Sequence, residues 1–351
     1  MGEAYSIKRI IDEQGNLIDA NDKSKIDQQI VHDGYYHMYR IRTFDKKAKS
    51  LQRQGRIGTY PPFEGQEAAQ VGSALALGAE DWIFPTYRDH GAMLTHGSDM
   101  TRTFLYWNGR VEGCVPPAGK KIFPAAVPIA TQLPHAVGAS WAEKRKGTTN
   151  IAVAYFGDGA TSEGDFHEGL NFASVFQTPT IFFNQNNGYA ISVPFERQMH
   201  SKTVAQKAVA YDIPSVRIDG NDFLVVFLEM QIAIERARSG GGPTLIEAVT
   251  WRTGAHTTAD DPTKYRPEGQ GAKVVDPIIR FERFMKNYGY WDENQIEAIH
   301  NRVEEEVEAA VKEMESYPKA NVDDLFNHVF AELPAPLKEQ KESYFQLLRG
   351  E

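Results

Sequence analysis

Two short apolar runs, IAVAYF from Ile151 and TIFFNQ from Thr180, constrain this chain more than any other feature. Each is continuous rather than alternating, the pattern of a strand buried on both faces of a parallel sheet. Between them lies SEGDFHEGLNFASVF, with a helical period and with Ser162 and Asp165 spaced as a capping box. Strand, helix, strand of this length is a βαβ unit, so both strands run parallel and finish on one edge of the sheet. As direct neighbours they would lie about 4.8 Å apart, or about twice that with one strand between. Further on, SVRID, DFLVVFLEMQIAIERARSGG and TLIEAVTWR repeat the alternation. The fold class that follows is α/β, a doubly wound, mostly parallel sheet with helices on both faces.

The residues closing the two strands are polar and specific. Gly157-Asp158-Gly159 follows the first, and Asn186-Asn187 the second, with Asp158 and Asn187 separated by 29 positions (187 − 158). Each motif alone reads as a turn. At the ends of neighbouring parallel strands they converge. A small hard cation takes one or two carboxylates, neutral oxygens and phosphate oxygens at about 2.0–2.1 Å. Asp158 offers the charge, Asn187 an amide oxygen, and the carbonyl of Tyr189 a third donor. Gly157 and Gly159 let backbone approach a phosphate, and a helix beginning near Ser162 turns its positive end toward an anion. No lysine follows the glycines, so this is not a P-loop.

The remaining features narrow the function classes. A net charge of −9 without a basic run argues against nucleic acid. A single cysteine, Cys114, excludes an intrachain disulfide and a thiolate zinc cluster. No apolar run nears the roughly 18–20 residues that span a bilayer, so no membrane contact is expected. MGEAYSIKRIIDEQGNLIDA has neither a signal-peptide core nor a transit-peptide bias, and a cytoplasmic protein is expected. The match of Gly2 and Ser6 to a myristoylation pattern is read as chance.

The chain is expected to divide into a charged leader (1–25), an α/β domain (26–275) and a helical, acidic C-terminal region (276–351). Within the second part, IDQQIVHDGYYHMYRIRTFDKKAKSLQRQG reads as a helix stopped at Gly55, and GQEAAQVGSALALG as another. The Gly- and Pro-rich segment 108–134 reads as a long structured loop, usually a functional one. After 275 the helices show a solvated face and a narrow apolar stripe.

YFGDGATSEGDFHEGLNFA and NNGYAISVPFERQ, with GQEA, TYRDHG, IATQLPHAVGA, VRIDGND and RTGAHTTADDPTKYR, carry a resemblance. Gly-Asp-Gly followed about thirty residues later by Asn-Asn resembles the thiamine-diphosphate motif. The full set resembles the α subunit of the decarboxylating, first component of 2-oxo acid dehydrogenase complexes of the pyruvate and branched-chain type, over about residues 30–340.

That resemblance implies a thiamine-diphosphate-binding fold and a division of labour among residues. Asp158, Asn187 and the Tyr189 carbonyl would bind magnesium. Gly157, Gly159 and Ala160 would face the diphosphate, the last two through backbone N–H groups, and Tyr87 and Arg88 would hold phosphate oxygens. Ile129 would bend the cofactor, and backbone at Val127 and Ile129 would bind its aminopyrimidine. Pro128, Thr131 and Gln132 match positions holding potassium in branched-chain relatives, although Ala126 and Val127 stand where those relatives carry serines. Gln185 stands where some members carry a phosphate-binding arginine. His256, after a third sheet strand, would stabilise anionic intermediates or donate to phosphate as a group titrating near neutrality. Its loop would order with cofactor, and Thr257 matches a serine phosphorylated in mitochondrial relatives. His90 and His135 read as structural.

No glutamate matches the one that activates thiamine, Glu64, Glu163 and Glu168 having helix or turn explanations. In the family a separate β subunit supplies it. The implied assembly is α2β2, active only with β. It would decarboxylate a small 2-oxo acid, branched-chain or pyruvate, and pass the acyl group to a lipoyl group on an acyltransferase partner. Alternatives are an acetoin dehydrogenase α subunit, a magnesium-dependent phosphohydrolase using Asp158, and a catalytically silent scaffold subunit.

Overall fold

The computed structural model describes residues 5–271, 274–319 and 321–350, and Gly2 of the myristoylation match lies outside them. The two apolar runs become β2 (Ala152–Gly157) and β3 (Thr180–Asn186), direct parallel neighbours with Gly157 opposite Gln185. With β1 (Trp82–Phe84), β6 (Ser215–Asp219) and β7 (Thr244–Val249) they form a parallel sheet ordered β1-β2-β3-β7-β6. The hairpin β4 (Tyr189–Ala190) and β5 (Val193–Pro194) is separate from that sheet.

Helices follow in chain order as α1 (Gln28–Arg53), α2 (Glu67–Leu75), α3 (His90–Thr95), α4 (Met100–Trp107) and α5 (Gln132–Lys146). Then come α6 (Gly164–Phe176), α7 (Phe195–Gln198), α8 (Phe223–Arg238), α9 (Pro277–Tyr288), α10 (Glu293–Ser316) and α11 (Ala335–Arg349). Alternate residues of β2 show why the sheet is covered twice. Ala152, Ala154 and Phe156 pack with Leu133, Val137, Phe166 and Leu170 of α5 and α6. On the opposite face, Tyr155 reaches Ser73 of α2, hydroxyl to hydroxyl at 3.1 Å. A continuous apolar strand is what two packed faces require.

Local chemistry sets the element ends. Asp27 caps α1 by accepting from the N–H groups of Gln29 and Ile30, and the chain turns at Gly55 with φ +70°. The capping box expected at Ser162 and Asp165 does not form. Asp158–Ser162 is a 3-10 turn, and α6 starts at Gly164 behind Glu163, with no side-chain cap. The backbone is still wrapping around Asp158 where the sequence pattern places the first helical turn.

Two edge additions matter for the site. Segment 121–126 runs beside β1, with Ile83 N–H on Lys121 O at 3.0 Å and Tyr87 N–H on Ala126 O at 3.1 Å. The stretch read as a leader is tied to the other edge: Lys8 bridges Ile218, and Asp222 Oδ2 accepts from the N–H groups of Ile10 and Ile11 at 2.7 and 2.9 Å.

The chain packs as two compact units, Met1–Val311 and Lys312–Glu351. In the first, Ile296, Val303, Val307, Ala310 and Val311 form the buried stripe of α10. The second adds a 3-10 turn, Val322–Leu325, and α11, with Lys341 paired to Asp323 at 2.5 Å. Among the described residues no helix is long and apolar enough to cross a membrane.

Candidate functional site

A cavity of about 230 Å³ opens at the C-terminal edge of the sheet, where α/β folds place ligands. Its walls come from the chain after β1 (Tyr87, Arg88), the loop before α5 with its first residue (Pro128, Ile129, Gln132) and the end of β2 with the turn after it (Gly157 to Ala160). The end of β3 with hairpin β4–β5 (Asn187, Tyr189, Ile191) and the loop after β7 (His256) complete it. Val127, 56% exposed, and Thr131 do not line it.

Asp158 and Asn187 meet here. The Asp158 carboxylate accepts from Gln198 Nε2 at 2.6 Å, and the neighbouring Asn187 backbone favours its charged form. Burial nevertheless pushes its pKa up, because a desolvated carboxylate disfavours charge. Asn187 Oδ1 accepts from Tyr189 N–H at 3.2 Å. Asn186 turns away, donating to the buried Glu247 at 2.8 Å. The two glycines have different roles. A Cβ on Gly157 would meet nothing within 4 Å, so its backbone lies bare to the cavity, whereas one on Gly159 would sit 2.8 Å from Ala190 Cβ.

Arg88 is buried, as is Asp89 beside it. Its Nη1 donates to Pro62 O at 2.6 Å and its Nη2 to His256 O at 2.9 Å and to His256 Nδ1 at 3.0 Å. Burial first, then Arg252, lowers its pKa to about 10. Asp89 instead accepts from Thr86 N–H and Oγ1, at 2.7 and 2.6 Å, and from Gln185 Nε2.

His256 corrects the expectation of titration near neutrality. Burial, with Arg88 and Arg252 adding repulsion, lowers its pKa to about 4. A guanidinium only donates, so Nδ1 accepts and the ring proton sits on Nε2. The loop closes on Asp260, whose Oδ2 accepts from His256 N–H at 2.7 Å and from Tyr265 OH at 2.5 Å. Tyr87 stands edge-on to the imidazole at 6.0 Å. Thr257 is half-buried in this loop.

His90 is enclosed by Phe44, Tyr60, Phe63 and Trp107, and His135 packs on Phe123. Glu163 is the glutamate among the lining residues, and Glu64 is held by Lys49. Sequence reasoning assigned no role to Gln198 or Gln66. Gln198 reaches Asp158 across 40 positions, and Gln66 Oε1 is buried with no partner among the described residues. Neither carries a local signal, since both depend on tertiary contact.

A family model described as "Dehydrogenase E1 component" matches residues 35–323. The 3-methyl-2-oxobutanoate dehydrogenase subunit alpha of Mycobacterium tuberculosis is 44% identical over 313 residues, covering 88% of this chain and 84% of the relative. Pyruvate dehydrogenase E1 component subunits alpha are similarly related. That of Staphylococcus aureus is 39% identical over 97% of this chain and 93% of its own length. That of Acholeplasma laidlawii is 41% identical over 97% and 99%. The motifs, the parallel sheet and these relatives agree: the chain belongs to the dehydrogenase E1 component family, with alpha subunits of 2-oxo acid dehydrogenases as its relatives.

Proposed function

We propose that this chain is the α half of a thiamine-diphosphate-dependent 2-oxo acid dehydrogenase, acting on a branched-chain 2-oxo acid or pyruvate and passing the acyl group to a lipoyl group. The observation carrying this is the convergence of Asp158 and Asn187 on one cavity at the sheet edge.

The residues fit the cofactor. A carboxylate, an amide oxygen and the Tyr189 carbonyl are hard oxygen donors suited to magnesium. Among the described residues Gln66 Oε1 and Gln132 Oε1 are buried acceptors without donors, and such groups are rarely left so. For potassium, Thr131 Oγ1 donates to Pro128 O at 3.1 Å, two oxygens of the expected set close together. Thiamine diphosphate, when bound, supplies the carbon nucleophile and electron sink for decarboxylation.

The chain's own groups do the rest. Asp158, Asn187 and the Tyr189 carbonyl would hold magnesium. Gly159 and Ala160 would present backbone N–H groups to the diphosphate, with Arg88 and Tyr87 beside it. Ile129 would press on the coenzyme from the cavity wall. His256, held neutral by its surroundings, keeps a proton at Nε2 and can offer that N–H as a hydrogen-bond donor to developing negative charge. The β subunit would complete an α2β2 enzyme with its glutamate, and a lipoyl acyltransferase would accept the acyl group, in the cytoplasm.

The test is reconstitution with the β chain, followed by turnover of pyruvate, 3-methyl-2-oxobutanoate and acetoin. Decarboxylation of a 2-oxo acid with acyl transfer to a lipoyl domain is expected. Cleavage of acetoin alone, or silence with a correctly assembled pair, would overturn the reading.

A further inference from the structure

The hairpin β4–β5 carries a conformation its sequence should avoid. Tyr189 pairs with Pro194 and Ala190 with Val193, leaving Ile191 and Ser192 as a two-residue turn. The first central position of the usual two-residue hairpin turns takes a positive φ and favours Gly, Asn or Asp. Here Ile191 holds it, with φ +56°. A β-branched residue at positive φ is an outlier that persists only where its surroundings over-determine it.

Those surroundings are visible. Ala190 packs on Gly159, Phe195 N–H returns to Gly188 O at 2.9 Å, and Gln198 donates both to Val193 O at 3.0 Å and to Asp158. The hairpin is clamped to the loop that bears Asp158. Burial at its tip is only partial, for Ile191 is 56% exposed while lining the cavity. The cavity's polar floor is buried, with Asp158 1%, Arg88 7% and Asn187 9% exposed, and its rim is apolar and open at Ile129 and Ile191. A ligand seated by its charged end on that floor would direct its other end toward the rim.

We propose that Ile191 is a specificity-determining residue, an apolar rim contact for the hydrocarbon side chain of the 2-oxo acid. This rests on the function proposed above. An apolar contact of one or two carbons discriminates by about 10–200-fold.

The assembled αβ enzyme is tested as wild type, Ile191→Val and Ile191→Asn. For Ile191→Asn, the ratio of kcat/KM for 3-methyl-2-oxobutanoate over pyruvate should fall at least about tenfold. Any change in thiamine-diphosphate affinity is common to both substrates and drops out of this ratio, and Tm should be equal or higher, since Asn tolerates this backbone. Ile191→Val should keep the ratio within about threefold. An unchanged ratio in Ile191→Asn overturns the proposal, as does a Tm lowered by several degrees or loss of β-chain binding, which would make Ile191 a packing or docking residue. A wild type inactive on every 2-oxo acid instead marks failure of the underlying function.

Discussion

His256 shows how much a single side chain's chemistry depends on what folding puts beside it. Arg88 donates to Nδ1, and burial holds the imidazole neutral with a pKa of about 4. Between the ordinary value of about 6.5 and that value, the unfolded chain binds a proton that the folded chain does not. The contribution of His256 to stability is therefore present above the unfolded pKa and is lost as pH falls from about 6.5 toward 4. Replacing His256 with Asn should flatten the fall in Tm over that window. In wild type, nitrogen NMR of the cofactor-free enzyme should show the proton on Nε2 from pH 8 down to pH 5. A proton on Nδ1 would contradict the Arg88 contact.

At the scale of elements, close approach and capping decide where the site stands. Gly159 has no room for a Cβ beside Ala190. Gly159→Ala should push hairpin β4–β5 from the Asp158 loop, costing about 1–3 kcal/mol of stability by overpacking and weakening coenzyme binding, read by denaturant melts and calorimetry. Asp222 caps α8 through Leu224 and Val225 N–H groups and also holds Ile10 and Ile11. Asp222→Ala strands four backbone donors, and a loss on the order of 3 kcal/mol is expected, with faster proteolysis of the segment before α1.

The elements were legible because continuous apolar strands and periodic helices are local patterns, as β2, α6 and β3 show. The capping box at Ser162 was misread because the turn around Asp158 answers to the site rather than to helix propensity. Asp158 and Asn187 could be paired from topology alone. Gln198, Gln66 and the protonation of His256 could not, since each follows from contacts between distant segments.

For the whole molecule, the cavity supplies a polar floor and an open apolar rim. Purified alone, the chain should show no 2-oxo acid decarboxylation. Co-expressed with its β chain, it should elute with an α2β2 mass and bind coenzyme. Activity of the isolated chain would contradict the division of labour. The two strand ends are proposed to hold a metal-tied diphosphate jointly. Calorimetric titration of thiamine diphosphate with magnesium into the assembled enzyme tests it, comparing wild type with Asp158→Ala. Saturable, magnesium-dependent binding is expected, weakened at least about 100-fold by the substitution, with assembly intact. Equal affinity in the two proteins would contradict it.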